Sequence, residues 1–136
     1  MRAAVRVGLG ILAVIQLGTG LWQLVLPESF YRDFPTVDLA PPFSEHLMRD
    51  FGGANVALGI IVVAVAVWLE KRYVALVLVA YLAFSIPHLV FHMSHLHDAT
   101  SGEVAFQVVS LGLAVVLPLA VLTLVPRAFR EVPPAE

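Results

Sequence analysis

Residues 72–96, RYVALVLVAYLAFSIPHLVFHMSHL, begin as an apolar run and end in histidines. A hydrocarbon core about 30 Å thick takes roughly 20 helical residues to cross, and this run supplies them. At about 100° per residue, His88, His92 and His95 fall on one face within roughly 60° of arc, with His97 opposite. Ser85 and Tyr81 extend that face backwards, so one helical edge carries nearly all the polarity of the segment. Pro87 withholds a donor from the carbonyl of Ala83 and predicts a kink where the histidines begin.

Three further stretches have the same length and character. The expected fold is an all-α membrane protein, a four-helix antiparallel bundle forming one transmembrane domain. Its helices are expected at about 5–26, 44–69, 72–96 and 104–126, with a tail over 127–136. Composition agrees, since 60% hydrophobic and 13% charged residues among 136 is far from a soluble domain. Arg2 and Arg6 ahead of an apolar run are also how a signal peptide begins. The run continues for about 20 residues with no small-residue cleavage site before Pro27, and so reads as a retained anchor.

The chain has no cysteine, which excludes disulfides, thiolate metal sites and iron–sulfur ligation. It has no nucleotide-binding glycine loop, no Ser-x-x-Lys or Gly-x-Ser-x-Gly nucleophile and no run of basic residues to hold phosphate or nucleic acid. Arg2, Arg6, Lys71, Arg72, Arg127 and Arg130 fall at the termini and in the 70–72 turn, against Arg32 and Arg49 in the other two loops. This bias places both termini in the cytoplasm and the histidines on the extracytoplasmic side of the plasma membrane.

Gln16, Thr19, Gly20 and Gln23 share a face of the first helix, which Pro27 ends. Pro27, Pro35, Pro41 and Pro42 then preclude another long helix. The segment 28–34 suits a short interfacial helix, with Phe30, Tyr31 and Phe34 at headgroup depth, placed as a lid over the outer mouth. Ser44 is the expected N-cap of the second span. The short Glu70-Lys71-Arg72 turn makes the second and third spans antiparallel neighbours.

Laid antiparallel, the spans gather Gln16, Thr19, Gln23, Arg49, Asn55, Tyr81, Ser85, Gln107 and Ser110 into one leaflet. Polar side chains in lipid need partners, so these residues should line a pocket closed towards the aliphatic half of the bundle. Its lip carries candidate metal ligands. His88 with His92, or His92 with His95, can grip one divalent ion, but His88 and His95 lie about 10 Å apart along a helix axis. A further ligand is expected from His46, Glu45, Asp50, His97 or Asp98. Nitrogen and oxygen donors suit zinc, copper or non-haem iron; haem between His88 and His46 or His97 is the lesser alternative. Arg49 with Glu45 or Asp50 reads as a structural ion pair, and Gln16, Gln23, Asn55 and Gln107 as interhelical hydrogen-bonding groups.

The Gly-rich first helix ending in Leu26-Pro27-Glu28, the stretch FGGANVALG at 51–59 and the basic 70–72 turn together resemble the DoxX-like group of small four-helix membrane proteins, over about residues 8–85. The resemblance implies a subunit or accessory of a larger membrane oxidoreductase. The histidine cluster stands outside the group's pattern. Two functions are therefore expected. One is a metal-binding, redox-associated protein beside a membrane partner or in a homo-oligomer. The other is a non-catalytic module whose pocket holds a lipid, a quinone or a partner protein, with the histidines as a proton-binding or structural face.

Overall fold

The computed structural model describes residues 1–39, 42–97 and 99–130. Among them the chain is helical throughout: α1 (Arg2–Val25), α2 (Pro27–Asp33), a 3-10 turn (Val37–Leu39), α3 (Glu45–Trp68), α4 (Lys71–Met93) and α5 (Ser101–Ala128). All but α2 and the 3-10 turn are long and apolar enough to cross a membrane. Large aliphatic side chains such as Val14, Ile60, Leu76, Val90 and Val109 stand exposed on their outer faces. Such a surface would aggregate in water and suits acyl chains.

Local chemistry sets the boundaries. Pro27 opens α2 at the position where a missing N–H is harmless, one residue ahead of the expected helix. Ser44 caps α3 as expected, its hydroxyl accepting from the Leu47 N–H at 3.4 Å. Leu69 ends α3 in the left-handed region, φ 52°, and turns the chain directly into α4. A capping box between Thr100 and Glu103 starts α5 at Ser101, three residues before the expected 104. Pro87, Pro118 and Pro126 all lie inside helices, so α4 continues through the expected kink site.

One boundary corrects the sequence reading. The third span was expected to run to 96, but α4 stops at Met93. Ser94 folds its hydroxyl back onto the Phe91 carbonyl at 2.8 Å, and the His95 N–H bonds the His92 carbonyl at 3.1 Å. This tightened turn competes with further helix. His95 therefore lies beyond the end of the helix that carries His88 and His92.

α1 packs along α3, α4 along α5, and α1 joins the two pairs through α5. Val5, Leu9 and Leu12 of α1 meet Val62 and Val65 of α3, Val74, Val77 and Leu78 of α4, and Val121 and Val125 of α5 in one aliphatic core. Glycine sets the α1–α3 distance. A Cβ on Gly52 would stand 2.5 Å from the Leu24 backbone nitrogen, and one on Gly20 would stand 2.9 Å from that of Val56. The two backbones touch, as small residues permit within membranes.

Three arginines tie the helix ends together. Arg2 Nε donates to the Ala128 carbonyl at 3.3 Å, Arg6 Nε to Ala66 at 3.1 Å and Arg49 Nη1 to Leu24 at 2.6 Å. Each cation thus caps the carbonyl end of a neighbouring antiparallel helix, where the helix dipole is negative. Gly52→Ala should cost about 1–3 kcal/mol, because its methyl meets backbone that no rotamer change can move aside. Gly53→Ala, where a Cβ meets nothing within 4 Å, should be near neutral. Unfolding of both variants in mixed micelles with rising SDS checks the difference.

Candidate functional site

Two polar groups occupy the half of the bundle near the histidines. The first lies between α1 and α3 and is satisfied internally. Gln16 Nε2 donates to Asn55 Oδ1 at 2.7 Å, and Asn55 Nδ2 donates to Gln23 Oε1 at 2.9 Å. Thr19 and Ser110 turn their hydroxyls onto carbonyls of their own helices, Ile15 at 2.8 Å and Phe106 at 2.6 Å. Arg49 pairs with Glu45 at 2.8 Å and not with Asp50, which meets His46 at 3.2 Å. Of these, the Gln16–Asn55–Gln23 chain crosses between α1 and α3, as does the Arg49 bond to the Leu24 carbonyl; the others stay within their own helices.

The second group lies where α4 faces α5. Tyr81, Ser85 and Gln107 are buried, and His88 and His92 are half-buried beside them. Ser85 is 2% and Gln107 3% exposed, yet Ser85 Oγ and Gln107 Oε1 have no hydrogen-bond partner among the described residues. Gln107 interacts with the His92 imidazole, but its oxygen falls short of a hydrogen bond. The His88 and His92 rings are 4.6 Å apart in an edge-to-face arrangement. Phe84 stacks on His88 at 5.3 Å and meets Phe51 of α3 at 5.8 Å. Buried donors and acceptors without partners are rare because each costs about 1–3 kcal/mol.

The outer histidines are arranged differently. His95 Nδ1 lies 2.8 Å from the Phe91 carbonyl and its ring stacks on Phe91 at 4.3 Å. His97 follows, exposed, its ring 6.0 Å from that of His95. His46 is exposed over 88% of its side chain. Among the described residues no three histidine, aspartate or glutamate side chains converge as a metal-ligand set. Asp98 lies outside the described residues.

α2 packs on α1 and α3, and Phe34, which ends it, reaches α5. Phe30 and Phe34 pack edge-on to Trp22 at 5.5 and 6.2 Å, and Phe34 reaches Phe106 of α5 at 6.0 Å. A polar chain fixes the other side of α2. Trp22 Nε1 donates to Ser29 Oγ at 3.1 Å, Ser29 donates to Asp33 at 2.9 Å, and Arg32 closes on Asp33 at 2.8 Å. The Arg32 guanidinium, with help from the Ser29 hydroxyl, holds the Asp33 carboxyl below its ordinary range. Sequence reasoning placed the aromatic anchors of α2 but passed over Ser29, Asp33 and Trp22. The i, i+4 spacing of Ser29 and Asp33 was the available signal.

Fold and site define a small four-helix membrane protein with buried polar side chains gathered in one half of an otherwise aliphatic bundle. The chain belongs to the DUF4345 family, a domain of unknown function, whose sequence model matches residues 4–125. No curated protein and no solved structure matches it.

Asn55 sits at the centre of the amide chain, so Asn55→Ala removes two interhelical hydrogen bonds. At about 0.6 kcal/mol each within membranes, this variant should lose about twice the stability that Gln23→Ala loses in the same SDS titration. Asp33 makes a second prediction. Its folded pKa is depressed, so its contribution to holding α2 is whole at neutral pH and is lost as pH falls through that depressed value. In a Trp68→Phe background, Trp22 emission should stay constant through the ordinary aspartate range and shift only below it. Asp33→Asn should show the shifted emission at every pH.

Proposed function

We propose that this protein is a membrane-embedded binding module whose α4–α5 site takes the polar head of an amphiphilic ring compound of the quinone or quinol class. The observation that carries this reading is the pair of deeply buried, unpartnered atoms, Ser85 Oγ and Gln107 Oε1, beside His88 and His92. Ser85 can donate to a ring carbonyl, Gln107 Oε1 can accept from a ring hydroxyl, and imidazole can do either while exchanging a proton. Phe51, Phe84 and His88 form a line of rings against which a flat head group can stack. The aliphatic outer faces accept an isoprenoid tail.

The excess of arginine and lysine at the termini and the 70–72 turn supports cytoplasmic termini, with the histidines facing outward across the plasma membrane. The likeness of layout to DoxX-like proteins supports a place beside a larger membrane oxidoreductase, for which the protein would hold or pass on a quinone. A second reading, a transition-metal ion on His88 and His92, is favoured by their i, i+4 spacing and 4.6 Å ring separation. It needs further ligands, from Asp98, a partner or solvent.

The test exploits opposite signs. Ser85→Ala removes a buried hydroxyl without a partner among the described residues and should stabilise the ligand-free protein by about 1 kcal/mol, whereas Gln107→Leu also gives up the interaction with His92 and should change stability little. Each should weaken binding of decylubiquinone about tenfold, measured by thermal shift in mild detergent. A wild type indifferent to decylubiquinone and its quinol, together with destabilised variants, would show that the two atoms serve packing instead. Elemental analysis of untagged protein beside His92→Ala addresses the second reading, which predicts about one equivalent of zinc, copper or iron lost in the variant.

A further inference from the structure

At the end of the bundle away from the histidines, the fold collects basic residues that are scattered in the sequence. Arg2, Lys71 and Arg72 line a groove of about 610 Å³ together with Leu69, Glu70, Ala75 and Phe129. We propose that this groove holds the phosphate of an anionic phospholipid, with the lipid's acyl chains lying along α3 and α4.

The cations are partly organised before any ligand arrives. Arg2 is anchored through Nε on the Ala128 carbonyl at 3.3 Å, and its guanidinium lies over the Phe129 ring at 5.1 Å. Its two terminal nitrogens carry the remaining donors. Arg72 is braced by Tyr73, whose hydroxyl accepts from Nη2 at 2.9 Å, and by Glu70 at 3.5 Å. Lys71 makes no ion pair or hydrogen bond among the described residues and supplies a movable third cation. Three positive charges against the single Glu70 carboxylate leave the groove doubly positive, and a phosphodiester neutralises only half of that excess. Glu70 also gives α4 no side-chain cap, so first-turn amide donors add to the rim.

The apolar half of the groove argues for a lipid over a soluble anion. Leu69, Ala75 and Phe129 line it, and the exposed Trp68 and Leu76 carry the apolar surface onwards along α3 and α4. Exposed tryptophan at the end of a span marks headgroup depth, where the phosphate of a bilayer lipid resides. The site is at the opposite end of the bundle from the proposed ring-binding station and does not rest on it.

The full chain in mild detergent, titrated with phosphatidylglycerol, phosphatidylcholine or inorganic phosphate and followed by thermal unfolding and native mass spectrometry, tests the assignment. Phosphatidylglycerol should raise the midpoint and remain bound in the gas phase, whereas phosphatidylcholine should do neither. Lys71→Gln, which breaks no internal contact, should weaken that binding about fivefold, and Arg2→Gln by a similar factor. Arg127→Gln removes an equal charge outside the groove and should leave binding unchanged. Equal responses to the two lipids, or an Arg127→Gln loss matching that of Lys71→Gln, would overturn the proposal. Saturation by inorganic phosphate alone would overturn the lipid and leave a soluble-anion site.

Discussion

The direct contact of α1 with α3 at Gly20 and Gly52 is the constraint on which the rest of the bundle depends. Within a bilayer, water exclusion does not press helices together, so association relies on close packing and on polar groups finding each other. Two glycines let the backbones meet. That approach brings Gln16, Asn55 and Gln23 within hydrogen-bonding distance and puts Arg49 against the end of α1. A rigid helix pair results, and α5 docks on it through Gly8, where Val121 fills the space a side chain would need.

Beside this closed pair, the α4–α5 side leaves Ser85 Oγ and Gln107 Oε1 without hydrogen-bond partners among the described residues. Both sides carry buried amides or hydroxyls in the same half of the bundle, but only one satisfies them. The contrast matters because the cost of leaving such groups unmade rises in a low-dielectric interior. A bundle that arranges three amides into a continuous chain on one side has no chemical difficulty doing so on the other. Ser85 and Gln107 are therefore more informative than the histidines, which attract attention first but sit nearer the rim.

Much of the architecture could be read from the sequence, because the bilayer imposes length and apolarity on any segment that crosses it. Ser44 as a cap, the short helix α2 and the abrupt turn before Lys71 followed from residue types alone. The end of α4 did not. Periodicity says which residues would share a face if the helix continued, but contains nothing about where it stops, and the Ser94 hydroxyl decides that. The start of α5 at Ser101 carried a readable signal, Thr100 with Glu103, that the apolar run beyond it obscured. The candidate site was legible as a set of residues, yet its division into a satisfied and an unsatisfied half was not. That division depends on which helices pair, and hydropathy patterns are silent about neighbours.

The arginine ties between helix ends carry a consequence for how the chain is made. Arg2 bonds a carbonyl 126 residues further along the chain and Arg6 one 60 residues further along, so α1 completes its contacts only after α3 and α5 have been made. α1 and α3 can pair early through their glycines. Until α5 delivers Ala128, Arg2 lacks its carbonyl and α4 lacks the helix it packs along.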